Sequence, residues 1–154
     1  SVETSRGFAI DQYGCIYVAI GPIGGSIVKY DSDGLELWAV PIEEFAHSLT
    51  LFSGDPFTMD KHGNLYLTGM SRSDRRSGYD LCCTVKLDPD GNKIWSASYK
   101  SRESNPDDGA WCSASGQSIA VTDSGCVFVT AVGEYKASRD APIEFDLLVI
   151  KYAQ

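Results

Sequence analysis

The stretch YDLCCTVKLDPDGNKIWSASY, residues 79–99, decides how the rest of the chain is read. An apolar run ending at Lys86 and Leu87 meets Asp88-Pro89-Asp90-Gly91, and a second run carrying Trp95 follows. Asp at the head of a turn, Pro at its second position and Gly at its end are the residues a β-turn selects. The stretch therefore predicts two antiparallel strands about a tight turn. A near copy, SIVKYDSDGLELW, occupies residues 26–38. From Lys29, the residues Asp31, Asp33, Gly34 and Trp38 lie at offsets of 2, 4, 5 and 9; from Lys86, the residues Asp88, Asp90, Gly91 and Trp95 lie at the same offsets.

Upstream of each copy stands another hairpin pattern. GFAIDQYGCIYVAIG (residues 7–21) reads as strand, turn, strand, and PFTMDKHGNLYLTG (residues 56–69) repeats it. SIAVTDSGCVFVTAVG (residues 118–133) repeats it again, with Thr122 at the first turn position and Cys126 where the others have Cys15 and Asn64. An apolar strand ending in Lys follows every time, at Lys29, Lys86 and Lys151, spaced 57 and 65 apart. The third copy reaches Gln154 without a second Asp-x-x-Gly turn or a Trp strand. No segment keeps a helical period, so the prediction is all-β. A unit of four short antiparallel strands repeated at this spacing is the mark of propeller blades. The expected arrangement is one domain, residues 1–154, of three blades at about 7–40, 56–99 and 117–154, the third lacking its outer strand.

The bulk numbers limit the partners. At 154 residues, 43% hydrophobic and 11% aromatic, the chain can build a sizeable core. A net charge of −8 disfavours general binding to nucleic acid or anionic membranes, both of which require a basic surface. No run approaches the roughly 18 apolar residues of a membrane span. The five cysteines, Cys15, Cys82, Cys83, Cys112 and Cys126, show no C-x-x-C spacing. Cys82 and Cys83 are adjacent on a strand and point to opposite faces. Buried or half-buried thiols in a reducing compartment are the expectation.

On these residues the chain resembles the bacterial seven-bladed β-propeller repeat family. The second copy carries the resemblance best, through Met59-Asp60, Gly63-Asn64-Leu65-Tyr66-Leu67-Thr68-Gly69, Tyr79-Asp80, Val85-Lys86-Leu87-Asp88, Gly91-Asn92 and Trp95. The first copy has Cys15 for the Asn and no Tyr-Asp pair, and the third has Thr122 for the Asp and no Trp. The resemblance implies the fold and carries no shared catalytic motif. It leans to an extracellular location, whereas the free thiols lean to the cytoplasm. Propellers close with about four to eight blades. Three blades leave two apolar flanks, so the expected partner is a second copy. A homodimer with blade one on the partner's blade three would make a six-bladed ring.

Strand alternation sends both kinds of tight turn to one end of the blades and the long connections to the other. Binding residues favour loops on a rigid scaffold, so the long-connection end is the predicted ligand site, for a small molecule, a sugar or a protein. Its candidates are His47, Arg72, Arg75, Arg76, Trp111 and Tyr135. Arg72, Arg75 and Arg76 offer anion contacts, against a plain solvated loop tip. Trp111 offers a stacking face, against packing beneath a loop. Asp31, Asp33, Asp88 and Asp90 have oxygens suited to calcium, but the acidic pattern of a full calcium loop is missing and a simple turn is expected. Lys29, Lys86 and Lys151 are expected in ion pairs with carboxylates such as Asp80 or Asp146. No motif for a catalytic serine, a metalloprotease helix or a phosphate loop occurs. No cofactor or metal is therefore expected, and the expected function is a non-catalytic binding or scaffolding module. The alternatives are a lyase- or hydrolase-type enzyme with its site at an axial channel mouth, and a piece of a larger propeller protein.

Overall fold

The computed structural model describes residues 5–21, 25–42, 49–51, 55–72, 79–102 and 109–152. His47, Arg75 and Arg76 lie outside the described residues. Three antiparallel sheets follow one another along the chain. Sheet 1 is a meander of β1 (Ser5–Ile10), β2 (Ile16–Ile20), β3 (Ser26–Tyr30) and β4 (Glu36–Pro41). Sheet 2 contains β5 (Leu49–Thr50), β6 (Phe57–Met59), β7 (Leu65–Arg72), β8 (Asp80–Leu87) and β9 (Lys93–Tyr99). Both β5 and β6 pair with β7, so together they fill its one edge. Sheet 3 is β10 (Trp111–Val121), β11 (Val127–Lys136) and β12 (Ile143–Tyr152). No described segment is an α-helix, and no helix is long and apolar enough to cross a membrane.

The turn chemistry sets the registers. Asp11, Asp31, Asp60 and Asp88 each accept, through Oδ1, the backbone N–H groups two and four residues on, at 2.8–3.0 Å. In each turn the fourth residue is Gly with φ between 81° and 86° (Gly14, Gly34, Gly63, Gly91), a conformation that a side chain opposes. Thr122 heads the fifth turn and, of the two backbone N–H contacts, keeps the one from Cys126 N, at 3.0 Å, while its hydroxyl also meets Ser124 Oγ at 2.9 Å. The repeated Asp-x-x-Gly is thus a self-capping turn, and Asp31 and Asp88 spend their Oδ1 atoms on the backbone.

Two apolar cores hold the sheets in order. Tyr17, Ala19 and Ile27 of sheet 1 meet Phe57, Leu65, Leu67, Cys83, Val85 and Leu87 of sheet 2. The opposite face of sheet 2, through Tyr66 and Cys82, meets Ala114, Ile119, Val127, Val129 and Ala131 of sheet 3. Sheet 2 is therefore buried on both faces, and Cys82 and Cys83 do point to opposite sides. Each fully buried aliphatic side chain contributes about 1.5–3 kcal/mol.

Glycines set how closely the sheets approach. A Cβ on Gly116 of β10 would stand 2.1 Å from Thr68 Oγ1 and 3.0 Å from Gly69 N on β7. The Ser/Gly-rich segment 109–116 reads in sequence as a connection, yet Trp111–Gly116 is strand. Its inward residues Cys112, Ala114 and Gly116 are small because β10 packs against β7 and β8. Residues 134–136, beyond the third hairpin pattern, likewise extend β11, paired with β12 as far as Lys136↔Ile143.

Candidate functional site

The four Asp-headed turns and the Thr122 turn lie at one end of the sheets, and a cleft opens there. It lies between the 11–15 turn of sheet 1 and the 60–64 turn of sheet 2, with a volume of about 510 Å3. On its floor Lys29 Nζ donates to Pro89 O at 3.2 Å and sits 4.9 Å from the centre of the Tyr17 ring. Tyr17 OH donates to Asp11 Oδ2 at 3.2 Å. The walls are Ile10, Gln12 and Tyr13 on one side and Met59, Lys61 and His62 on the other.

The electrostatics of the floor follow from burial working against hydrogen bonding. Burial acts to raise the Asp11 carboxyl, but the N–H groups of Cys15 and Tyr13, the Tyr17 hydroxyl and Lys29 outweigh it and hold it below the usual carboxylate range. At Asp60 burial again opposes, and the Asn64 side chain, two backbone N–H groups and the Tyr66 hydroxyl again prevail. Burial raises the Tyr17 phenol against the pull of Lys29. Lys29 is raised as well: burial opposes its charge, and the contact with Tyr17 and the nearby Asp11 more than compensate.

A second, smaller cleft of about 230 Å3 repeats the arrangement between the 60–64 and 122–126 turns. Its floor is Tyr66 and Lys86, with the Lys86 ammonium 5.2 Å from the Tyr66 ring centre. In sheet 3 the corresponding pair is Lys151 over Phe128, at 5.6 Å. The recurring lysine thus lies over an aromatic ring in all three sheets. The expected partner Asp146 is taken instead by Arg102 Nη2, at 2.9 Å. Lys151 and Asp146 are five residues apart on one strand, an odd separation that puts them on opposite faces.

At the long-connection end, the predicted site, the described candidates are Arg72, Trp111 and Tyr135. Arg72 is exposed at the end of β7, in register with Asp80. Trp111 pairs in register with Lys136, and Tyr135 with Cys112, so Trp111 and Tyr135 face opposite sides of sheet 3. Tyr135 lies beneath Arg102, whose guanidinium is 4.9 Å from the ring centre and bridges Glu144 at 2.7 Å and Asp146 at 2.9 Å. That cluster closes the end of β11 and β12 over itself. Among the described residues no three His, Cys, Asp or Glu side chains converge in a metal-binding group.

The turn-end cleft escaped sequence reasoning because its walls come from residues 49 apart. A signal for it was present nonetheless. Inside turns that otherwise repeat, the two central residues differ: Gln12-Tyr13, Lys61-His62 and Asp123-Ser124. No family model and no curated protein matches the chain.

Proposed function

We propose that the chain is a non-catalytic binding or scaffolding module of the β-propeller type, with its sheets as successive blades and the third blade lacking its outer strand, and that it self-associates. The observation that carries self-association is the exposure of two repeat positions. Three residues before the head of the first turn in each unit stand Phe8, Phe57 and Ile119; six residues after it stand Tyr17, Tyr66 and Phe128. Phe57 and Ile119 are 7% and 6% exposed, but Phe8 is 66% exposed. Tyr17 and Tyr66 are both 0% exposed, but Phe128 is 37% exposed.

The first position belongs to the face that each sheet turns toward its predecessor, and the second to the face it turns toward its successor. The outer faces of sheets 1 and 3 are therefore the two unmatched halves of an interface that the chain already builds twice. Around Phe8 lies Ile10, exposed, with Val18 in register. Beside Phe128 stand exposed Phe145, Leu147 and Val149. Two chains, each setting sheet 1 on the partner's sheet 3, give a six-bladed ring with a two-fold axis. The resemblance of the repeat to bacterial propeller repeats supports reading each sheet as a blade, while the six-blade count rests on the two exposed faces.

Light scattering on the purified chain tests it. The expected mass is twice 16.7 kDa, and Leu147→Lys, at a position already exposed in the single chain, is expected to return it to 16.7 kDa with unchanged circular dichroism. A wild-type mass of 16.7 kDa at about 100 μM, well above a 1 μM dissociation constant, would refute self-association.

A further inference from the structure

We propose that the cleft between the 11–15 and 60–64 turns binds a small organic anion, a carboxylate or phosphate carried on a ring. Both walls come from one chain, so the site does not depend on self-association.

The hydrogen-bonding capacity of the walls sets the sign. Asp60 accepts from His62 N and Asn64 N on Oδ1, and from Asn64 Nδ2 and Tyr66 OH on Oδ2, which fills its lone-pair sites. Asp11 accepts from Tyr13 N, Cys15 N and Tyr17 OH. The two carboxylates are committed to holding the turns and have little left to offer a ligand. The donors are less committed. Lys29 carries three N–H groups, of which one reaches Pro89 O, and Lys61 and His62, both exposed, line the opposite wall. An ammonium beside an imidazole suits a carboxylate or a phosphate.

Size and shape indicate the rest of the ligand. A volume of about 510 Å3 lies within the usual range for small-molecule sites. Ile10 and Met59 give an apolar flank, and Tyr13, 77% exposed, offers an uncovered ring for stacking.

The second cleft serves as an internal comparison. It shares the Lys61-His62 wall, but the facing turn carries Asp123-Ser124 in place of Gln12-Tyr13. There a carboxylate opposes the cations, the stacking ring is absent, and the volume falls to about 230 Å3. An anion with a ring is expected to choose the first cleft over the second.

An amide NMR titration of the whole chain with phenyl phosphate and with benzoate tests this, with benzylamine as the cationic counterpart. The expected result is saturable shifts at Tyr13, Gly14, His62 and Gly63 with both anions, a dissociation constant of about 1 mM or tighter, and little response to benzylamine. Replacing the two exposed turn residues together, Lys61→Gln with His62→Gln, is expected to weaken binding about tenfold while the remaining spectrum is unchanged. Three results would each overturn the proposal: no saturable shift with either anion up to about 50 mM, benzylamine binding as tightly as benzoate, or unaltered affinity in the double variant. Shifts centred on Thr122 to Gly125 would also overturn it, because they would place the anion in the other cleft.

Discussion

The Tyr66–Asp60 contact can be tested as a unit, because the third sheet shows what happens when both partners are replaced. In sheets 1 and 2 a tyrosine hydroxyl donates to the turn-heading aspartate, at 3.2 Å in one and 3.0 Å in the other. In sheet 3 the two positions hold Phe128 and Thr122, so neither a hydroxyl nor a carboxylate is left over. Tyr66→Phe removes a hydrogen bond to a charged acceptor, part-buried, and is expected to cost about 1.5 kcal/mol. Asp60→Thr keeps the contact to the fifth residue of the turn, as Thr122 does, but drops the others, the bond from the Tyr66 hydroxyl among them; about 2 kcal/mol is expected. The double variant removes the hydroxyl together with its acceptor and leaves only the part-buried Asn64 amide without its Asp60 contact, so it is expected to cost about 2.5 kcal/mol, a coupling of about 1 kcal/mol. Urea unfolding at pH 7 and one fixed protein concentration gives the three differences, provided the slope is unchanged. A second measurement follows from the depressed Asp60 carboxyl. Its contribution is present above the ordinary carboxylate range and fades as pH falls through the lower folded value. Tyr66→Phe is expected to shrink that acid-labile part, and Asp60→Thr to remove it. Additivity of the two substitutions within about 0.3 kcal/mol would refute the coupling.

Two further perturbations test the packing. Gly116→Ala places a methyl 2.1 Å from Thr68 Oγ1 and is expected to cost about 3 kcal/mol, read by urea unfolding. Gly125→Ala, with open space around it but a φ of 86°, isolates the backbone penalty at about 1 kcal/mol; equal losses at the two sites would refute the close-approach reading. Burial pushes the Cys82 thiol up to about 11 and raises Cys83, so iodoacetamide at pH 8 is expected to modify the half-buried Cys15 and Cys126 while sparing Cys82, Cys83 and the buried Cys112 in the native chain. Native labelling of Cys82 as fast as Cys15, followed by mass spectrometry, would contradict the buried assignment.

What the sequence made legible was local. An Asp heading each turn and a Gly closing it are read from four residues, and the all-β class, the hairpins and the two Trp strands follow from them. Trp38 and Trp95 sit in register with Lys29 and Lys86 and edge-on to Tyr17 and Tyr66, at 6.0 and 6.4 Å between ring centres. What was not legible depended on partners distant in sequence. The two-residue β5 exists because Met70 and Ser71 of β7 are there to pair with it. The small residues of β10 resemble loop composition until the neighbouring sheet is in place. The relation of the candidate site residues to one another was hidden for the same reason. Loop length singled out Trp111 and Tyr135, but the register of β10 and β11 sends them to opposite faces. The cleft at the other end is built from turn tips whose residues look ordinary until two sheets stand side by side.

The strand sequences themselves bear on whether the end sheets are meant to stay bare. An antiparallel strand with one wet face alternates polar and apolar residues. The central strand β7 begins Leu65-Tyr66-Leu67, apolar on both sides, and sheet 2 is covered on both sides. Strand β2, Ile16-Tyr17-Val18-Ala19-Ile20, is apolar on both sides too, with the Tyr17 and Ala19 side buried and Ile16, Val18 and Ile20 only half-buried. In β12, Leu147-Leu148-Val149-Ile150 repeats the pattern, with Leu148 and Ile150 packed inward and Leu147 and Val149 81% and 69% exposed. A side chain of this size gains about 1.5–3 kcal/mol on full burial. Sheets 1 and 3 thus carry the composition of interior sheets at the ends of the stack. The uncovered residues on the two ends correspond by repeat position to the two sides of the interfaces already formed, so each end carries the surface chemistry that its opposite number would need, which is the complementarity the proposed self-association uses.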